Sequence, residues 1–136
     1  MLKKNIFALF LCIFALPCVA EVSVMTTAEF KTKIFDYTTQ DKWSYLGDKP
    51  CVIDFYATWC GPCKRLAPIM DELSETYKGK INFYKVDVDQ NRELAAAFGI
   101  SSIPQVLYIP VEGNPSLKVG LYPKEEIIKL LDEICR

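Results

Sequence analysis

The sequence contains no histidine. That absence excludes His dyads and triads, His-ligated metals and an imidazole pH switch. Net charge is also nearly absent: 16 Lys and Arg against 17 Asp and Glu leave −1 over 136 residues. No basic excess exists to draw nucleic acid, and no acidic run forms a solvating tail. Internal repeats, low-complexity stretches and flexible linkers are missing as well. No hydrophobic run reaches the ~20 residues that span a bilayer as a helix. Any chemistry must therefore rest on cysteine, carboxylate, lysine or backbone.

What is present is globular. The chain is 51% hydrophobic and 24% charged, with a mean hydropathy of +0.12, and its length suits one domain. Its start reads differently. Lys3 and Lys4 precede an apolar run from Ile6 to Leu16, then the small-residue end Cys18-Val19-Ala20. Positive charge, short apolar core and small residues describe a secretory signal peptide over residues 1–20. Cleavage after Ala20 is expected to leave residues 21–136 as the working domain, at net charge −3, in the periplasm or secreted. A retained anchor and a lipoprotein signal on Cys12 or Cys18 are the rival readings. The bulky pairs Phe10-Leu11 and Leu16-Pro17 ahead of those cysteines do not suit a lipoprotein signal.

Of six cysteines, Cys51, Cys60, Cys63 and Cys135 lie in the expected domain. Four are too few for a disulfide-built fold, so they are read first for chemistry. Thr26-x-x-Glu29 forms a capping box ahead of a helix near 27–36. Trp43 and Tyr45 alternate as in a short strand within a polar stretch, 37–50. Cys51–Ala57 is a nearly unbroken apolar run, as in a central strand covered on both faces, with Asp54 in its middle. A helix over about 63–77 contains Pro68 and stops at Gly79. Ile81–Val88 is a second strand. Asp89 is expected to cap a helix near 90–98, which Gly99 ends. Gln105–Ile109 and Leu117–Val119 form a hairpin, and a last helix starts at Pro123. The order αβαβαββα predicts an α/β sandwich of three layers, a mixed sheet with helices on both faces.

The strongest motif is Trp59-Cys60-Gly61-Pro62-Cys63, where the buried strand hands over to a helix. A helix start offers unpaired N–H groups and the positive dipole end, which stabilise a thiolate. Cys60 is thus the expected nucleophile. Cys63, one turn on, is the expected resolving thiol, able to close a short disulfide. Pro62 suits the first turn, where a missing N–H costs nothing. The rival reading is half a zinc site. It lacks a second Cys-x-x-Cys and any histidine, so Cys51 and Cys135 would both have to converge; no metal and no cofactor is expected.

Here the chain resembles the thioredoxin family, over about residues 46–135. The resemblance rests on Trp59-Cys60-Gly61-Pro62-Cys63, Asp54 six residues earlier, Pro68, Lys85, Ile103-Pro104 and Val119-Gly120. It is most similar to the small exported thioredoxins of Bacteroides-type bacteria. The resemblance implies a thioredoxin-like fold and a thiol–disulfide oxidoreductase with a Cys60–Cys63 redox disulfide and protein disulfides as substrates. It implies that Asp54 is buried and accepts the Cys63 proton, by way of water. Lys85 stands near Asp54 by the same resemblance; its alternation with Ile81 and Phe83 equally suits a side chain that snorkels to solvent. Ile103-Pro104 matches a cis-proline loop that would hold the Ile103 backbone beside Cys60 for an extended client. Trp59, Gly61, Pro62, Val119 and Gly120 complete the expected docking surface. Gln105 and Tyr56 depart from the usual threonine and tryptophan, and residues 21–45 match only loosely.

Cys51 and Cys135 are read as two buried, inert thiols, with a structural disulfide between them as the alternative. Two rival functions differ from a reductant: a disulfide-donating folding catalyst and a redox-incidental binding or chaperone subunit. Donors of this superfamily usually carry histidine between the cysteines, and Gly61-Pro62 lacks it. The expectation is a monomeric reductant or isomerising partner outside the cytoplasm, recharged by a membrane dithiol donor.

Overall fold

The computed structural model describes residues 22–136; the expected signal peptide lies outside them. The elements are β1 (Ser23–Val24), α1 (Thr27–Lys33), β2 (Cys51–Tyr56), α2 (Gly61–Thr76), β3 (Asn82–Asp87), α3 (Arg92–Ala97), β4 (Gln105–Ile109), β5 (Ser116–Val119) and α4 (Lys124–Ile134). One five-stranded sheet runs in the order β1-β3-β2-β4-β5. β1 and β2 flank β3 in parallel, while β4 pairs antiparallel with both β2 and β5. The expected mixed-sheet α/β fold is present.

Strand alternation sends neighbouring residues to opposite faces, and here each face has its own core. Val52, Phe83, Val106 and Tyr108 meet Leu66 and Met70 of α2 and Ile127 and Leu131 of α4. Ile53, Phe55, Val86 and Leu107 meet Phe30 of α1 and Leu94 of α3. β2 is therefore buried on both sides, which is why its sequence is an apolar run. Asp54 lies on the α2/α4 face with Val52. In register beside it on β3 is Lys85.

Four local expectations are corrected. Residues 37–50 contain no strand; Trp43 packs on Phe35 with its ring tilted and the ring centroids 4.9 Å apart, and the Tyr45 hydroxyl donates to Lys49 O at 2.7 Å. Their spacing served packing instead of pairing, and the strand at the β3 edge of the sheet is the two-residue β1 upstream. The 90–98 helix is shorter and starts after Asn91, which makes no side-chain cap. Asn91 instead accepts from Thr27 N and Oγ1 at 2.7 and 3.0 Å, and its Nδ2 donates to Asp87 O, tying α1 to the end of β3. Finally, α1 stops at Lys33, and Pro123 is the N-cap of α4. The Thr26–Glu29 capping box is formed in full. The helix α2 runs through Pro68.

Candidate active site

β2 ends at Tyr56, and the Cys60 N–H donates back to Ala57 O at 3.2 Å, turning the chain into α2. Cys60 has extended backbone and is the N-cap residue. Its Sγ takes the place of the usual capping oxygen, accepting from the Cys63 N–H at 3.2 Å. Pro62 occupies the first turn, and no acidic side chain stands there to oppose a thiolate. The two sulfurs are joined as a disulfide, with Cα atoms 5.3 Å apart.

Against this helix start lies the loop before β4. Its Ile103–Pro104 peptide bond is cis. Ile103 O is 3.8 Å from Cys60 Sγ. The loop is tied from the other side by the Gly120 N–H, which donates to Pro104 O at 2.9 Å. Gly120 has φ +99°, a left-handed conformation that a side chain would strain, so this position requires glycine. Val119 beside it is exposed.

Two cavities flank the disulfide. The outer one is an open groove of about 400 Å³ whose apolar lining includes Trp59, Cys60, Pro62, Val88, Ile100 and Ile103. Trp59 is 69% exposed, the most exposed of the large apolar side chains. Its indole N–H donates to Asp89 at 2.8 Å, so the ring is held at the rim. Asp89 lies two residues before Asn91, the N-cap residue of α3, and does not cap that helix. Val88, Asp89, Ile100, Ser101 and Ser102 were not among the sequence-derived site residues; chain adjacency to Ile103 was the available signal for Ile100, Ser101 and Ser102, and Val88 and Asp89 had none.

The inner cavity is smaller, about 160 Å³, and is lined by Asp54, Tyr56, Ala57, Cys63, Ala67 and Lys85 among others. Asp54 is 4% exposed, and its Oδ1 has no hydrogen-bond partner. Burial pushes its carboxyl up to about 7, against the opposing pull of the Lys85 ammonium. That ammonium lies 5.9 Å from the centroid of the Tyr56 ring. Lys85 thus lines the same cavity as Cys63 and Asp54, and Tyr56 supplies the aromatic wall.

Cys51 and Cys135 are both free. Cys51 is fully buried on the α1/α3 face, and burial pushes its thiol up to about 12. Cys135 is exposed at the end of α4, which packs on the opposite face, so the pairing of two buried thiols is corrected for that residue. The intervening sheet separates the two. The terminal helix turn left Cys135 outside the core that Ile134 enters.

A dithiol–disulfide pair capping a helix, with a buried carboxylate behind it and a loop backbone before it, defines a thiol–disulfide oxidoreductase. The thioredoxin family profile matches residues 21–133. A thioredoxin of Borreliella burgdorferi is 47% identical over 108 residues, covering 77% of this chain and 92% of that protein. Thioredoxin 1 of a Nostoc species is 34% identical, covering 80% and 92%. The crystal structure of chloroplastic thioredoxin z superposes with a TM-score of 0.71 at 26% identity, over 84% of this chain and 94% of that one. The chain belongs to the thioredoxin family.

Proposed function

We propose that this protein is an exported, monomeric thioredoxin of the Bacteroides kind, which reduces or isomerises protein disulfides outside the cytoplasm. The observation that carries the reading is the position of Cys60, which lines the outer groove at the α2 start with its Sγ 3.8 Å from the Ile103 carbonyl. Neither the N–H nor the carbonyl of Ile103 joins a backbone hydrogen bond among the described residues. An extended client can therefore pair there. The Cys60 thiolate attacks one client sulfur; a mixed disulfide forms and the other client sulfur leaves as thiolate. Asp54 takes the Cys63 proton through water in the inner cavity. The Cys63 thiolate then attacks Cys60 Sγ, closing the 60–63 disulfide and releasing the second client thiolate. Two electrons pass to the client, and a membrane dithiol donor restores them.

The signal-like residues 1–20 support export. The absence of histidine between the cysteines supports a reductant, because it removes one stabiliser of the reduced thiolate. Thioredoxins as a class lie near ~−270 mV, and strong disulfide donors near ~−120 mV. Equilibration with glutathione should place this couple near the first value. A value near the second would replace the reductant reading with the donor one. A Cys63→Ser variant should accumulate client mixed disulfides on Cys60, and the exported protein should begin at Glu21 by intact mass.

A further inference from the structure

The residue that follows the cis bond is polar, yet it sits in the sheet. Gln105 opens β4, pairs in register with Phe55 on one side and Val119 on the other, and is only 3% exposed. Every other residue of β4 is apolar. A buried side-chain amide is costly unless it is hydrogen-bonded, so its partner identifies what it does. Gln105 Nε2 donates to Ser102 O at 2.7 Å and lies 3.5 Å from Ser102 Oγ. The amide therefore spans from the sheet back across Ile103 and Pro104 to the loop that precedes them.

That loop carries the business face of the groove. Ile100, Ser101, Ser102 and Ile103 line it, and Ile103 O faces the Cys60 sulfur. Between Ser102 and β4 the chain has few other ties. Among the described residues the one backbone bond there is Gly120 N–H to Pro104 O, which holds the far end. The Gln105 side chain holds the near end. We infer that Gln105 is a positioning residue: its amide fixes the Ser102-Ile103 backbone at the Cys60 sulfur, and so sets affinity for extended polypeptide disulfides without entering the sulfur chemistry. Small disulfides, which make no backbone pairing with Ile103, do not depend on it. The inference rests on the client-docking reading above.

The test compares two disulfides and two variants. Gln105→Met keeps the length and apolar volume and removes the donor; Gln105→Leu, also apolar and without a donor for Ser102 O, carries the test should the first misfold. Reduction kinetics are measured for insulin and for 2-hydroxyethyl disulfide, with thermal unfolding as a check on the fold. The expected result is about a tenfold loss of kcat/KM on insulin, carried by KM, and at most a twofold loss on the small disulfide. Unchanged insulin kinetics in a folded variant overturn the inference. So does an equal loss on both disulfides, which would place Gln105 in the sulfur chemistry. If the wild-type protein itself reduces insulin no faster than dithiothreitol alone, the docking reading fails instead, independently of Gln105.

Discussion

The two cavities beside the Cys60–Cys63 disulfide are built from different material. The outer groove is made by loops and a helix start, and it displays apolar surface to solvent, with Trp59 at its rim. The inner cavity is made by β2, β3 and α2, and it hides a carboxylate and an ammonium stem among apolar walls. Cys60 lines the first and Cys63 the second. The two thiols are three residues apart, yet one lines the apolar groove and the other the cavity that holds the Asp54 carboxylate. On the function proposed above, this helix start divides the reaction in two, with docking and attack on one side and deprotonation on the other.

The comparison is broken most severely at the sulfurs. Cys60→Ser should abolish reduction of insulin, a loss of at least 1,000-fold (on the order of 10³) in turnover, because no nucleophile remains on the outer side. Cys63→Ser should also stop turnover but retain the first attack, leaving Cys60 covalently joined to client. Mass spectrometry of each variant after incubation with insulin separates the two; adducts on both or on neither would dissolve the division of labour.

Next in size is Asp54. Asp54→Asn should slow disulfide exchange by roughly 10–100-fold at neutral pH, a typical general-base contribution. The same change should raise stability. Asp54 binds its proton in the folded state up to about pH 7, whereas the unfolded chain releases it near the ordinary carboxylate value of 3.8. Between those limits the folded state holds more protons, so wild-type stability falls as pH rises from about 4 to above 7. Over that window the loss approaches about 4 kcal/mol, and the Asn variant should lack it. Denaturant titration of the oxidised protein across that range is the measurement; a flat wild-type profile would remove the buried, uncompensated carboxyl.

The outer side sharpens through Trp59. Trp59→Ala removes the exposed ring and its bond to Asp89, and should raise KM for insulin about fivefold, near the 1 kcal/mol scale of a surface aromatic contact. Stability should move by less than about 0.5 kcal/mol, as for other exposed positions. Smallest of all is a labelling difference away from both cavities. Iodoacetamide on the native oxidised protein should modify Cys135 and spare Cys51, because one is exposed and the other is enclosed beneath the sheet. Modification of Cys51 before unfolding would mean that the α1/α3 core opens readily.

Much of this was legible from residue order. The apolar run of β2 announced its central place, and the Thr26–Glu29 box and the 105–119 hairpin formed as their residues indicated. The Cys-Gly-Pro-Cys segment marked a strand-to-helix handover, and the helix cap at Cys60 follows from it. Trp43 and Tyr45 misled because period-two spacing of aromatics does not distinguish strand pairing from loop side chains packed on Phe35. Asp89 misled because a carboxylate before a helix fits a cap, while its partner here is an indole 30 positions earlier. Asn91 was silent, and Gln105 stood out only as a departure from the usual threonine, because their bonds are made by side chains whose partners are chosen by the fold.

The sequence by itself determined most of the elements, the family and the two sulfurs, because these depend on short-range spacing, capping and burial period. Only the tertiary structure decided which groups face one another. Strand register set Lys85 beside Asp54, and packing of the loop against α2 set Ile103 at Cys60. The sheet parted Cys51 from Cys135. Those relations join residues far apart in the chain, and a local pattern that shows which residues are buried does not show which of them meet across the fold.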